Sequence, residues 1–449
     1  MKIKQFEDKD LAHYAYAILS ECEQKIILID PARDPKPYYD YAEENNAKIV
    51  GVIETHPHAD FVSSHLEIHE HTGATIYAHS LTQAGYPHKA FDEGAELTVG
   101  KIKLKALHTP GHSPDSISVV LEHDGRDKAV FTGDTLFVGD VGRPDLRENA
   151  GNSQPKREEL ARQMYHSTRD KLMKLDSSVV VYPAHGAGTL CGKNLGDASS
   201  STIGEEIATN SALQPMSEEE FVNMIVEDQP FVPRYFGYDV ALNEKGAPNY
   251  RTSVEAVKRL PLNHHPTDNA LVIDGRKENI FKKGHYRGAL NIQEGAKFET
   301  WLGSIVAPEE PYYLVADQEE SLENLIAKAA KIGYELFIKG TFVLTEAEKV
   351  TSPKLDRKDF EANPEHYTIV DVRNASEVEK QAYFEHAINI PLPELRERAA
   401  EVPREKPVVV HCASGYRSAI GSSLLEAALP GTPVIDLGEA VKDFMPQTA

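Results

Sequence analysis

His56-Pro57-His58-Ala59-Asp60-Phe61 follows the apolar run Ile49-Val50-Gly51-Val52-Ile53 after only Glu54 and Thr55. The run reads as a buried strand, so three side chains able to coordinate a metal fall within five positions where that strand enters a loop. A free loop has no need of imidazoles there. Working outward, Ile26-Ile27-Leu28-Ile29-Asp30, Ile117-Ser118-Val119-Val120-Leu121 and Val179-Val180-Val181-Tyr182 also read as buried strands. Strand ends again carry ligand types: Leu107-His108-Thr109-Pro110-Gly111-His112, Phe131-Thr132-Gly133-Asp134 and Pro183-Ala184-His185.

The chain has 449 residues, which at roughly 150 residues per domain suggests about three domains. Hydrophobic residues make up 41% and charged residues 26%, with 29 Gly and 27 Pro, an ordinary globular usage that argues against disordered or collagen-like chains. The formal charge of −22 repels phosphate backbones and anionic headgroups, so no nucleic-acid partner and no membrane surface is expected. Neither a signal-like apolar segment at the N-terminus nor a spanning run is present, and a cytoplasmic protein is expected. Cys22, Cys191 and Cys412 are too few and scattered for a disulfide framework.

Between about 191 and 262 the pattern weakens, with one helix expected from Ser217 to Val226 in capping-box style and an irregular Pro-punctuated stretch from Gln229 to Phe236. Beyond it lies a repeat. Ile273-Asp274-Gly275-Arg276 matches Val370-Asp371-Val372-Arg373, Ala289-Leu290-Asn291-Ile292 matches Ala387-Ile388-Asn389-Ile390, and the offset stays at 97 or 98 residues. Strand runs alternate with helical patterns at Leu322–Ala330 and Ser418–Ala428, which implies parallel α/β units.

The four ordered motifs of the first 190 residues resemble the metallo-β-lactamase superfamily. One departure bears on the chemistry. Two-metal members continue the first motif with Asp-His, whereas Asp60 is followed here by Phe61, which cannot coordinate. The single-metal branch is the persulfide dioxygenase family, and that resemblance implies one Fe(II) per chain held by His56, His112 and Asp134, a 2-His-1-carboxylate face with open positions. His58, Asp60 and His185 are then expected to orient those ligands, or else to be ordinary buried loop polars. Arg143 is a candidate contact for a carboxylate or phosphate of the substrate, or else a loop brace, and Cys191 a candidate sulfur-handling thiol near the metal mouth, or buried filler. His65 and His69 read as a helix surface, and Cys22, between Glu21 and Glu23, as a structural thiol with a raised pKa.

Val408-Val409-Val410-His411-Cys412-Ala413-Ser414-Gly415-Tyr416-Arg417-Ser418 reads as a strand, a tight loop and a helix start, which aims backbone N–H groups at the cysteine sulfur. Arg417 adds positive charge, so Cys412 has the surroundings of a reactive thiolate. The unit resembles a rhodanese sulfurtransferase domain, with Ser414, Gly415 and Tyr416 forming the substrate loop. Four residues separate Cys412 from Arg417, whereas related phosphatase loops enclose five. The earlier copy reads Leu314-Val315-Ala316-Asp317-Gln318-Glu319-Glu320 at this place and lacks a cysteine. Spacing, packing or dimer contact is the role expected of it, with substrate docking the lesser alternative.

The expected architecture is α/β: a metallo-β-lactamase αββα sandwich followed by two rhodanese-like parallel α/β domains. The boundaries are residues 1–262 (core 1–190, extension 191–262), 263–350 for the copy without cysteine and 351–449 for the catalytic copy. The order resembles the multidomain persulfide dioxygenase and sulfurtransferase fusions of bacterial sulfide detoxification. That resemblance implies a thiol persulfide (coenzyme A, bacillithiol, glutathione or similar), O2 and sulfite as small partners, thiosulfate as product, and a homo-oligomer. A glyoxalase II-like zinc thioester hydrolase and a sulfane-sulfur carrier or sensor are the alternatives.

Overall fold

A computed structural model describes residues 1–146, 156–345 and 350–445. They form two compact units, Met1–Val254 with Ala330–Gly333, and Glu255–Ala329 with Tyr334–Ala449.

In the first unit one six-stranded sheet contains β1 (Lys2–Asp8), β2 (His13–Ser20), β3 (Lys25–Ile29), β4 (Lys48–Ile53), β5 (Thr75–Ala78) and β6 (Lys89–Ala90), in that order. A second sheet contains β7 (Glu96–Val99), β8 (Ile102–His108), β9 (Ile117–His123), β10 (Arg126–Gly133), β11 (Val180–Pro183) and β12 (Ser201–Thr202), ordered β12-β11-β10-β9-β8-β7. Alternation along β2 shows how the layers arise. Tyr16 and Ile18 join Ile102, Leu104 and Val119 between the sheets, while Ala15, Ala17 and Leu19 pack outward on Tyr38, Ala42 and Ile68 of helices Lys36–Glu44 and His65–Thr72. Both faces of β2 are therefore covered and all eight of its residues are buried. On the far side Val130 and Val181 meet Met164 and Phe221 of helices Arg157–His166 and Glu218–Val226. The result is an αββα sandwich.

The helix Glu218–Val226 has the expected Ser217–Glu220 capping box. The helices Ile203–Thr209, Tyr235–Lys245 and Tyr250–Glu255 were not anticipated between 191 and 262. Tyr235–Lys245 buries Asp239 and Asn243 on the same face as Phe236 and Val240, so polar residues interrupt its apolar periodicity. His65 and Cys22 also require correction. His65 is fully buried against Tyr86, with Nδ1 3.5 Å from Glu54 Oε1, instead of lying on a helix surface. Cys22 is exposed, and a hydrogen bond with Ser20 at 3.5 Å, then one from the Lys101 backbone, lowers its pKa despite the flanking acids.

The second unit holds two four-stranded parallel sheets. One contains β13 (Leu271–Asp274), β14 (Leu290–Asn291), β15 (Tyr312–Ala316) and β16 (Ile338–Val343), ordered β14-β13-β15-β16. The other contains β17 (Thr368–Asp371), β18 (Ile388–Asn389), β19 (Val408–His411) and β20 (Val434–Asp436), ordered β18-β17-β19-β20. The sequence repeat is thus a structural repeat. Arg276 and Arg373 each grip the aspartate two residues earlier at 2.6 Å, and Asn291 and Asn389 each donate to the carbonyls of that Asp and Arg at 2.8–3.0 Å. Those bonds fix the turn at the carboxyl end of each first strand. Within the unit the copies touch: Arg396 pairs bidentately with Glu310, and Asn291 N–H donates to Ser423 Oγ at 3.0 Å. Among the described residues no helix is long and apolar enough to cross a membrane.

Candidate metal centre and cysteine loop

His56, His112 and Asp134 are brought together from the ends of β4, β8 and β10, all buried, with one ligand atom of each within 4.8 Å of the others. Asp134 Oδ2 lies 3.8 Å from His56 Nε2 and 3.5 Å from His112 Nε2. The remaining ring nitrogens are occupied: His112 Nδ1 donates to the Arg143 carbonyl at 3.0 Å, and His56 Nδ1 meets Thr55 Oγ1 at 3.0 Å. Thr55 in turn donates its N–H and hydroxyl to Asp30 at 2.7 and 2.8 Å. Both imidazoles therefore present Nε2 inward. His56 Nε2 and Asp134 Oδ2 have no hydrogen-bond partner although buried. Orphaned donors converging on one point fit a metal ion, since leaving them unpaired in a dry interior costs about 1–3 kcal/mol each.

Burial, reinforced by His58, lowers His56 well below the usual imidazole range, and burial likewise lowers His112. Burial opposes charge on Asp134, yet His185 and His112 hold its carboxyl well below the carboxylate range. Neutral imidazoles beside a carboxylate are the protonation states that a divalent cation requires. The backbone closes tightly around this trio: a Cβ at Gly142 would stand 1.9 Å from the Asp134 carbonyl oxygen and 3.1 Å from His112 Nδ1.

The three neighbours differ in placement. His185 bridges the carboxylates of Asp134 and Asp60 at 2.8 Å each. His58 turns away from the trio, with Nε2 3.2 Å from Asp30 Oδ1 and 3.7 Å from Glu54 Oε2. The Phe61 ring lies 3.8 Å from the His13 ring and 4.3 Å from that of His58. Asp60, His185 and Cys191 form an adjoining buried set of donors. Cys191 is 1% exposed instead of lining an open mouth, and burial, with Asp60 and Asp134 beside it, raises its thiol pKa well above normal.

Of the two readings of Arg143, the contacts favour the loop brace. Its fork pairs with both oxygens of Asp145 at 2.7 Å and donates to the carbonyls of Leu190, Phe231 and Pro230. All five donors are engaged and the side chain is 1% exposed, so it braces three loops and offers a substrate anion nothing. Asn243 was missed altogether. It donates to the His58 and Phe61 carbonyls and accepts from Ser63 N–H, each at 2.8 Å, clamping the metal loop from a helix about 180 residues away. Asp30, Glu54 and His13 were likewise unassigned, because lone polar residues at strand ends carry no spacing signal.

A Metallo-beta-lactamase superfamily model matches residues 9–185, and a Rhodanese-like domain model matches residues 356–444. A crystal structure of a metallo-beta-lactamase from Staphylococcus aureus subsp. aureus COL is 30% identical, with 76% of this chain and 98% of that one covered at a TM-score of 0.67. The chain belongs to the metallo-beta-lactamase superfamily. Among curated members of the superfamily that it resembles, a cytoplasmic hydroxyacylglutathione hydrolase of Arabidopsis thaliana is 34% identical over 176 residues, 38% of this chain and 63% of that protein. The mitochondrial persulfide dioxygenase of Mus musculus is 25% identical over 244 residues, 53% of this chain and 85% of that protein. The chain spans about half to three fifths of the length of the first hydrolases it matches.

In this metallo-beta-lactamase superfamily member the cysteine loop joins β19 to the helix Tyr416–Ala428. Gly415 N–H donates to Cys412 Sγ at 3.1 Å, with Cys412 1% exposed and Ser414 exposed. Gly415 has φ +103°, and a Cβ there would meet Gly438 and Glu439 backbone at 3.1 Å, so the turn needs glycine. Arg417 does not stand as a lone cation. Its fork grips Glu377 at 2.5 and 2.8 Å.

Proposed function

We propose that the chain is an iron-dependent persulfide dioxygenase joined to a sulfurtransferase. The observation that carries the first part is the buried His56, His112 and Asp134 trio, with Phe61 in place of the histidine that two-metal members use. Fe(II) held there would supply open coordination positions for O2 and a persulfide sulfur. Around it, Thr55 and the Arg143 carbonyl orient the two imidazoles, His185 holds Asp134, and the buried Phe61 ring packs against His13 and His58. In the net reaction the persulfide, O2 and one water, which supplies the third oxygen, would give sulfite, the free thiol and two protons.

In the second part Cys412 Sγ attacks the sulfane sulfur of another persulfide. An S–S bond forms to Cys412 as that of the carrier breaks, and the carrier leaves as thiolate. Sulfite then takes the sulfur, giving thiosulfate and restoring the cysteine thiol. Backbone N–H groups of the loop, of which Gly415 already meets Sγ, favour negative charge on that atom. A tethered acceptor raises the effective concentration of sulfite.

Anaerobic metal analysis followed by an O2-electrode trace with a thiol persulfide tests this reading. One iron per chain and O2 uptake are expected. The Asp60, His185 and Cys191 donor set favours a second reading, a two-metal thioester hydrolase like the hydroxyacylglutathione hydrolases. Two zinc ions per chain, with thioester hydrolysis and no O2 uptake, would establish it instead.

A further inference from the structure

The cysteine loop is held from outside its own copy. Gly415, whose N–H meets Cys412 Sγ, lies against the turn that follows β20, since a Cβ on it would stand 3.1 Å from the backbone of Gly438 and Glu439. That turn is closed by Asp436. Its Oδ1 accepts the Gly438 N–H at 2.9 Å, with Gly438 at φ +57°. The other oxygen lies 2.7 Å from Nζ of Lys282, which belongs to the copy without a cysteine. In the first copy no carboxylate stands at the equivalent place. Val410 of β19 pairs with Asp436, whereas its counterpart Leu314 in β15 pairs with Thr341.

The charges at this turn are finely placed. Lys282 also pairs with Glu278 at 3.0 Å, and the Asp436 side chain is only 2% exposed. Lys282 Nζ, Asp436 Oδ2 and Glu278 Oε2 all lie within 3.8 Å of the point that a Cβ on Gly438 would occupy. Burial works against the charge on Lys282, yet Asp436 and Glu278 hold its pKa above the usual lysine value. One cation thus separates two carboxylates. Without it they would face each other in a half-buried place, and their repulsion would push the turn away from Gly415. The same copy also holds the start of the helix after the loop: Tyr416 donates its hydroxyl to the Gln293 carbonyl at 2.8 Å, and Gln293 Oε1 accepts the Glu278 N–H at 2.9 Å.

We propose that Lys282 is a positioning residue for sulfur transfer at Cys412, acting through Asp436 and the Gly438 turn to keep the Gly415 N–H on the sulfur. The copy that has lost its own cysteine is thereby a clamp on the loop of the other.

This inference rests on the sulfurtransferase reading, and the test separates the two. Loading of Cys412 with sulfane sulfur is followed in the full-length protein by rapid quench and mass spectrometry, with glutathione persulfide or thiosulfate as donor. The Cys412 sulfur attacks the sulfane sulfur, and glutathione thiolate or sulfite leaves. Lys282→Met should slow maximal loading roughly ten-fold, because the loop is misplaced. The half-saturating donor concentration should stay within roughly two-fold, because the residue does not bind the donor. Lys282→Arg keeps the cation between the carboxylates and should load within roughly two-fold of the wild type. Arg396→Met, which breaks the Arg396–Glu310 pair between the copies without touching the turn, should load normally. Wild-type loading by Lys282→Met would overturn the inference, as would a change confined to the half-saturating concentration. It also fails if Lys282→Arg is as slow as Lys282→Met, or if Arg396→Met is slowed equally, which means general loosening between the copies. Wild-type protein that takes sulfur from neither donor would refute the sulfurtransferase reading itself, and the inference with it.

Discussion

His185 Nδ1 lies 2.8 Å from Asp134 Oδ1, and the opposite nitrogen of the same ring lies 2.8 Å from Asp60. One imidazole therefore ties the carboxylate of the candidate metal trio to a carboxylate outside it. Burial alone would lower its pKa, but Asp134 and Asp60 together raise it well above the ordinary value. His185→Gln should weaken metal binding roughly 10–100-fold, as removal of a ligand-orienting partner does elsewhere. Chelator competition measures this, and a fall from two ions to one would instead identify His185 as a ligand of a second ion.

Asn243→Ala removes three hydrogen bonds from the His58–Ser63 segment and leaves the Ser63 N–H and two carbonyls buried and unpaired. A loss of about 2–4 kcal/mol of unfolding free energy is expected. Urea unfolding gives the cost. Metal content after dialysis should fall as well, though no ligand has been changed.

Arg143→Met deletes a buried guanidinium and strands Asp145, which is 9% exposed. Breaking a buried pair by removing one partner costs about 3–5 kcal/mol. The variant should therefore lose stability before it loses affinity for substrate. A raised KM with unchanged unfolding would contradict the bracing role.

Cys412→Ser should leave O2 consumption intact and shift the product from thiosulfate to sulfite. Product chromatography after a fixed O2 uptake reads the ratio. An unchanged thiosulfate yield would remove the relay.

The thiols should differ in their response to pH. Cys22 is exposed with a lowered pKa, so its thiolate fraction, and with it alkylation by iodoacetamide, should rise at a lower pH than for an ordinary cysteine. Cys191, buried with a raised pKa, should stay unlabelled until the protein unfolds. Mass spectrometry of peptides after a short pulse at several pH values tests both.

Much of the fold and of the candidate site is legible in the sequence. Ligand residues at strand ends are encoded within a few positions of an apolar run, so His56, His58, Asp60, His112, Asp134 and His185 and the loop around Cys412 stand out in the sequence, while the choice of His56, His112 and Asp134 among them comes from the family resemblance. The repeat was legible because each copy needs the same Asp, Arg and Asn to close the same turn. Tertiary structure decided the rest. Whether Arg143 faces a substrate or a carbonyl, whether Cys191 is open or buried, and whether Asn243 touches the metal loop depend on which distant segments fold against one another. A single polar residue that meets its partner about 180 positions away leaves no period in the sequence, and only packing selects among its possible partners.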